Sequence, residues 1–268
     1  MPRSGTRPRL RLLHTSDVHL GAYDYRGADE GSRAALEAGF RRVIDIGIAE
    51  GVDLALIAGD FFDNARVREE TLAFAAEQLA RLDRPVVIAP GNHDHVGPHS
   101  VYDRRDLSAT AQNVTVMRQQ DGETVAVDGL EVEVWARSHT ETLPDFRPFE
   151  GVPPRGDAAW QLGVGHGHFI HPNALLHHSF HILEEHLVEA QRDYVALGHW
   201  EQMTRVAAGE LGEAAYSGAP IGLGGESGGH VLIVDLQEDG AVTLRAVPLA
   251  EGAPHLAHDD LPYLRGLR

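Results

Sequence analysis

Five short polar blocks in the 268-residue chain combine residue types that can hold divalent cations. They are Asp17-Val18-His19, Gly59-Asp60, Gly91-Asn92-His93-Asp94, Gly165-His166 and Gly198-His199. The chain has no cysteine, so disulfides and thiolate-bound metals are excluded, and any metal must be held by imidazole nitrogen and oxygen. Asp17 and His19 stand two apart, which directs both side chains to one side of an extended strand end. A carboxylate such as Asp60 can serve two cations at once through its two oxygens. Asn92 adds a neutral carbonyl oxygen, and His166 and His199 add imidazole nitrogens. Two cations about 3.5–4 Å apart lower the pKa of a shared water and clamp both oxygens of an in-line displacement. Taken singly, Asp17 and Asp60 read equally well as turn or helix-capping residues; the ordered set points to a binuclear metal centre.

The elements that must position these blocks can be read from periodicity. Residues 9–16 read as a first strand, 53–58 as a continuous apolar strand of the kind buried on both faces of a parallel sheet and 85–89 as a third buried strand, and each ends at one of the blocks. Leu36, Phe40 and Val43 give residues 32–50 one apolar face, and Leu72, Leu79 and Leu82 do the same for 69–82, so both segments are expected to be helices. Residues 162–165 and 194–197 are short strands that end at His166 and at Gly198-His199. In open α/β sheets the carboxyl ends of strands form the binding crevice, so five strand ends can converge on one site.

Further strands are expected at 114–117, 123–127, 130–135, 214–216, 230–236 and 241–249, with turns at Asp128-Gly129 and Asp239-Gly240. Residues 144–154 read as a Pro-rich surface loop and 179–190 as a helix. The pattern is a single α/β domain over residues 10–250, with tails at 1–9 and 251–268.

Composition sets limits on function. Apolar residues make up 43% and charged residues 24%, a balance that supports a packed globular core. No apolar run approaches the roughly 20 residues of a membrane span, and the Arg-rich start lacks the apolar region of a signal peptide. A cytoplasmic protein without membrane contact is therefore expected. The formal net charge is −17, and all 23 basic residues are Arg. Non-specific nucleic-acid binding is driven by basic surface, so a DNA substrate would need a local basic rim, a metal centre or a partner to supply the grip. Arg66, Arg68, Arg104 and Arg105 follow the candidate blocks and belong to the site-facing rim. Arg3, Arg7, Arg9 and Arg11 enter the first strand from its far end. Asp63 and Asn64 precede a helix, where capping is the expected role and support of the site the lesser one. Among the 17 histidines, His168, His171, His177, His178, His181 and His186 read as surface residues, with His168 near enough to His166 to line the crevice.

The blocks resemble those of calcineurin-like metallophosphoesterases in order and spacing, including Gly59-Asp60-Phe61-Phe62-Asp63 and Gly91-Asn92-His93-Asp94. His14-Thr15-Ser16-Asp17-Val18-His19-Leu20-Gly21, Tyr194-Val195-Ala196-Leu197-Gly198-His199 and Tyr216-Ser217-Gly218-Ala219-Pro220 are similar to DNA-repair exonucleases of the SbcD type. The resemblance implies two facing β-sheets flanked by helices, a four-layer α/β/β/α sandwich. It implies that Asp17 and His19 hold a first metal, that Asp60 bridges, and that Asn92, His166 and His199 hold a second. His93 would contact the phosphate and protonate the leaving oxygen, with Asp94 orienting it. The final block departs from the family pattern Gly-His-x-His, reading Gly198-His199-Trp200-Glu201. Glu201 is expected to take the place of the second His as a ligand, the other reading being that it points away. An extra carboxylate makes the site harder and favours Mn²⁺ or Fe over Zn²⁺. An alignment of Gly165-His166-Gly167-His168 with that block leaves no earlier strand-end His and is rejected.

The expected activity is hydrolysis of a phosphate ester with two divalent metal ions, most readily Mn²⁺, and DNA ends as one substrate class. The chain ends soon after its last expected strand, so neither a DNA-capping domain nor an ATPase-docking segment is expected. A small-molecule phosphodiesterase or phosphomonoesterase is the alternative within the enzyme class. A metal-stabilised binding protein without catalysis is the alternative outside it, motivated by Glu201 and opposed by His93 and Asp94.

Overall fold

The structure is a computed structural model, described here for residues 6–22, 30–104, 106–140, 143, 145–170, 179–210, 212–223 and 228–265. The first half of the chain runs β1 (Leu10–Thr15), α1 (Glu30–Glu50), β2 (Leu54–Ala58), α2 (Glu69–Leu82), β3 (Val86–Ala89), α3 (Val101–Arg104), α4 (Leu107–Thr110) and β4 (Val114–Val116). It continues through β5 (Glu123–Ala126), β6 (Val132–Ala136), β7 (Trp160–His166), β8 (His168–Ile170), β9 (His181–Leu183), α5 (Glu184–Ala190) and β10 (Tyr194–Gly198). The last strands are β11 (Thr204–Val206), β12 (Glu213–Tyr216), β13 (His230–Leu236), β14 (Val242–Pro248) and β15 (Tyr263–Leu264).

Two sheets form, with orders β14-β13-β1-β2-β3-β4 and β15-β11-β12-β10-β7-β6-β5. Strand alternation decides what each sheet covers. Leu12, Leu54, Leu56 and Val87 point between the sheets, where they meet Val134, Leu162, Val164, Tyr194 and Ala196. Their neighbours Leu13, Ala55, Ile57 and Ile88 point the other way, onto Phe40 and Ile44 of α1 and Leu72 and Leu79 of α2. On the far side of the second sheet, Val195, Leu197 and Tyr216 pack with Trp135, Phe149 and Leu187 of α5. The result is the expected four-layer α/β/β/α sandwich. Each large aliphatic side chain buried this way contributes about 1.5–3 kcal/mol. No helix among the described residues is long and apolar enough to cross a membrane.

The structure differs from the sequence reading at several elements. Only Glu184–Ala190 of the segment 179–190 is helical. Residues 181–183 are extended because they pair in parallel with β8, His168 opposite His181, and this ladder satisfies backbone groups that a helix would otherwise serve. The strand β11 escaped the sequence reading because three residues are too few for a periodic signal. The segment read as a C-terminal tail packs on the domain: Leu256 and Ala246 exchange backbone hydrogen bonds, Leu261 is buried between the sheets, and β15 pairs with β11. His171, His177, His178 and Arg105 lie outside the described residues.

The two sheets are cross-tied near the ends of β1 and β10. His14 Nδ1 and the Tyr194 hydroxyl are 2.7 Å apart in full burial, and the hydroxyls of Ser16 and Ser217 are 3.0 Å apart. At Gly198 the sheets approach so closely that a Cβ would sit 1.8 Å from the carbonyl oxygen of Ala58. Glycine is needed there for the approach itself.

Candidate metal centre

The strands β1, β2 and β3 run parallel, as do β7 and β10, and all five end at the same edge of the sandwich. Beyond each strand the chain turns sharply. Asp17, His19 and Asp60 have φ of 51°, 50° and 49°, and His199 has φ 105°. Non-glycine residues in this region cost of order 1–3 kcal/mol each and cluster at functional sites. The turns are fixed by a backbone ladder: Asp17 N–H donates to Gly59 O at 3.1 Å, His19 N–H to Asp60 O at 3.0 Å and Leu20 N–H to Phe61 O at 3.0 Å. A Cβ on Gly91 would lie 2.3 Å from Asp60 Oδ1, so the third block reaches Asp60 only because residue 91 has no side chain.

These turns bring the side chains together. His166 Nε2 is 3.2 Å from Asp60 Oδ2 and 3.1 Å from Asn92 Oδ1, and His199 Nδ1 is 3.3 Å from His166 Nε2. His19 Nε2 approaches the same Asp60 Oδ2 at 3.9 Å. Two triplets result, His19–Asp60–His93 and Asp60–His166–His199, each with one ligand atom per residue and all such atoms within 4.8 Å of one another. That spacing suits atoms that surround one ion at metal–ligand distances of about 2.0–2.6 Å. Asp60 belongs to both triplets, as a bridging carboxylate must. Asp17 accepts the His199 N–H on both oxygens, at 3.2 and 3.0 Å, and so ties the first block to the last.

The electrostatics show why the site fits cations. Burial raises the pKa of the Asp17 carboxyl, and the nearby Asp60 charge raises it further, against the opposing pull of His166 and His19. Burial also works against ionised Asp60, but His166, His19 and His93 outweigh it and hold Asp60 well below the usual carboxylate range. His166 is fully buried, which disfavours its charge, yet Asp60 and Asp17 raise its pKa to about 9. A buried imidazolium thus offsets the carboxylates. A bound cation would take over that role, and His166 would have to be neutral to ligate it. Its other nitrogen, Nδ1, lies 2.9 Å from Ala58 O, which fixes the ring with Nε2 toward Asp60.

The third block carries two different tasks. His93 is on the exposed rim with its ring centroid 4.8 Å from that of His19, and its backbone N–H donates to Asp60 Oδ1 at 2.9 Å. Asp94, expected to orient His93, is turned away beneath the loop. Its Oδ1 accepts from Asp60 N–H and Gly91 N–H, and its Oδ2 from Phe61 N–H, Phe62 N–H and the Tyr102 hydroxyl. Five donors saturate its lone pairs, so it fastens the loop that carries Asp60 and Asn92. The group facing His93 is Asp63: its carbonyl oxygen is 2.9 Å from His93 Nδ1, and its carboxylate lies 3.8 Å from that atom and 3.4 Å from His19 Nδ1. Its position three residues after Asp60 was the signal, outweighed by the expectation of a cap.

Glu201 is in neither triplet; it lines a cavity beside His199. His168 packs beside the centre, its ring centroid 5.2 Å from that of His199, in accord with a crevice-lining place. His139 was missed, although it follows the end of β6 much as the other site residues follow their strands. It is fully buried, bonds through Nε2 to His166 O at 2.8 Å, and meets Phe146 at a tilt and Phe180 edge-on; burial lowers its pKa to about 3. Of the expected rim, Arg66 and Arg104 line a cavity of about 720 Å³ with His99, and Arg104 also donates to Ala65 O and Val67 O. Arg7 and Arg11 lie at the opposite end, paired with Asp193 and Asp235.

Comparison with known proteins agrees with this fold. The DNA double-strand break repair protein Mre11 of Methanopyrus kandleri is 28% identical over 228 residues, 79% of this chain and 49% of its own length. The uncharacterized metallophosphoesterase YhaO of Bacillus subtilis is 34% identical over 97 residues, 33% of this chain and 24% of its own. The chain thus spans about half or less of these relatives' lengths. Among solved structures, TT1561 of Thermus thermophilus superposes with a TM-score of 0.59 at 11% identity, covering 91% of this chain and 100% of that one. A dimetal phosphatase from Danio rerio superposes with a TM-score of 0.56 at 12% identity, covering 93% and 98%. Residues 10–202 match the model of the calcineurin-like phosphoesterases. With its strand-end carboxylates and imidazoles gathered around a shared Asp60, the chain belongs to that family and is a metal-dependent hydrolase.

Proposed function

We propose that this enzyme hydrolyses phosphodiester bonds, with nucleic-acid ends as the substrate class and Mn²⁺ as the working ion at both sites. The observation that carries the reading is Asp60, shared by two histidine-containing triplets, one of which includes the exposed His93. Asp17, His19 and Asp60 would hold one cation, and Asp60, Asn92, His166 and His199 the other. When bound, the cations supply a water of lowered pKa and fix the phosphoryl oxygens. Asn92 and Asp17 present oxygen donors that suit hard ions. The Asp63 carbonyl accepts from His93 Nδ1–H, so Nε2 faces outward and is the atom that exchanges a proton with the leaving oxygen. Ser16 and Ser217 hold the two sheets together behind the ligands, which keeps the site preorganised.

Nucleic acid is favoured by the Methanopyrus relative, which is named for DNA double-strand break repair and aligns over 79% of this chain. Arg66 adds a cationic side chain to the cavity it shares with His99 and Asp103, where Arg104 is paired with Glu69 at 2.7 Å. The net charge of −17 favours a second reading, a small phosphodiester or phosphomonoester. Turnover of bis-p-nitrophenyl phosphate, p-nitrophenyl phosphate and labelled single-stranded DNA with Mn²⁺ separates the two. The diester and DNA should be cleaved ahead of the monoester; a clear preference for the monoester overturns the nuclease reading.

A further inference from the structure

A cavity of about 610 Å³ opens directly off the metal centre, with His199 in its wall. Its volume falls within the roughly 300–1,000 Å³ of small-molecule sites. Trp200 and Tyr263 give it two aromatic walls, Leu264 an aliphatic one, and Glu201, Gln202 and Thr204 polar ones. The aromatic walls are held in place. Trp200 stacks on Tyr216 with centroids 4.6 Å apart and planes at 11°, and the Arg205 and Arg265 guanidiniums lie over the Tyr263 ring at 5.1 and 5.5 Å. Tyr263 and Leu264 are 43% and 41% exposed, among the few large apolar side chains of the described residues left open to solvent. Among the described residues of the lining the charged side chain is Glu201, an acid.

We infer that this cavity is a subsite for the nucleobase of a nucleotide whose phosphate sits at the metal centre. The inference rests on the phosphodiesterase reading and gives it a substrate group. A base is flat, uncharged and rich in N–H and C=O edges, which matches aromatic walls with polar residues between them. Aromatic walls of this kind accept any base, because every base has a π-face. The placement also accounts for Glu201: at the position where the family pattern has a metal-binding His, this chain directs the segment that carries it to the substrate wall. The C-terminal strand β15 is then part of the site, since Tyr263 and Leu264 pair with β11 to close the cavity.

The test compares two diesters with the same leaving group, thymidine 5′-(p-nitrophenyl phosphate) and methyl p-nitrophenyl phosphate, in the Mn²⁺-loaded full chain. The wild-type enzyme should favour the nucleoside ester by at least about ten-fold in kcat/KM, chiefly through KM, in line with the contribution of stacking one base. Tyr263→Ala, on an edge strand, should reduce that ratio about ten-fold. Equal turnover of the two esters by wild type overturns the subsite and leaves the phosphodiesterase reading standing. Turnover of neither diester, with p-nitrophenyl phosphate cleaved, overturns both. A wild-type preference that survives unchanged in Tyr263→Ala also overturns the assignment of this cavity. The wild-type comparison decides the matter even where the variant fails to fold.

Discussion

The substitution Asp94→Asn separates fastening the loop from orienting His93. The change is nearly isosteric but exchanges an acceptor oxygen for an NH₂ donor. In the structure Oδ1 accepts two backbone N–H groups, at 3.1 Å from Asp60 and 2.7 Å from Gly91. Oδ2 accepts two more, at 2.9 and 3.3 Å from Phe61 and Phe62, and the Tyr102 hydroxyl at 2.6 Å. The amide that replaces the carboxylate can keep its oxygen on only one side. The better choice retains three bonds and leaves the Asp60 and Gly91 N–H groups facing a donor in full burial. Two orphaned donors at about 1–3 kcal/mol each give a loss of about 2–6 kcal/mol, a large share of a total of about 5–15 kcal/mol. With an m-value of about 3 kcal/mol/M, the urea midpoint measured in EDTA should fall by roughly 0.7–2 M. Because Asp60 sits on the released loop, the affinity for Mn²⁺ by calorimetry should fall with it. A variant with an unchanged midpoint and unchanged metal binding but a low kcat would refute this reasoning and restore Asp94 as the partner of His93.

Two further substitutions probe the chemistry and the frame. His93→Ala should lower kcat by about 10²–10⁴ while two Mn²⁺ ions per chain remain by elemental analysis, whereas Asp60→Asn should weaken both; wild-type turnover in His93→Ala excludes it as the proton donor. His14 is buried with a pKa lowered to about 3, against about 6.5 when unfolded, chiefly by burial. The unfolded chain therefore takes the proton first as pH falls. Stability is full above pH 6.5 and declines below it, and between pH 7.5 and 5.5 this residue alone costs about 1.4 kcal/mol. Denaturation of wild type and His14→Gln in EDTA at the two pH values should show that difference, and parallel slopes would contradict it.

The parts of this fold legible in the sequence are those where one local pattern fixed both structure and chemistry. Leu54 to Ala58 reads as a strand buried on both faces and is one, and the polar residues after it fall at the sheet edge as they must. Asp17, His19, Asp60, Asn92, His166 and His199 are expected together because each stands at or soon after a strand end, and the structure gathers their side chains at one edge of the sandwich. Features set by distant pairing were not legible. Residues 181–183 run straight into the helix Glu184–Ala190, but their conformation is decided by β8. Tyr263 and Leu264 have no local partner and gain one only in β11. The roles of Asp63 and Asp94 could not be told apart from their residue type, since both are carboxylates near His93. Only the direction in which the loop turns the Asp94 side chain, beneath itself onto five donors, distinguishes them.

A Mn²⁺-soaked crystal examined by anomalous scattering addresses the binuclear centre directly. Two peaks should appear about 3.5–4 Å apart, both within bonding distance of Asp60, one beside Asp17 and His19 and the other beside Asn92, His166 and His199. A single peak, or peaks that leave Asp60 uncoordinated, would contradict the shared-carboxylate site.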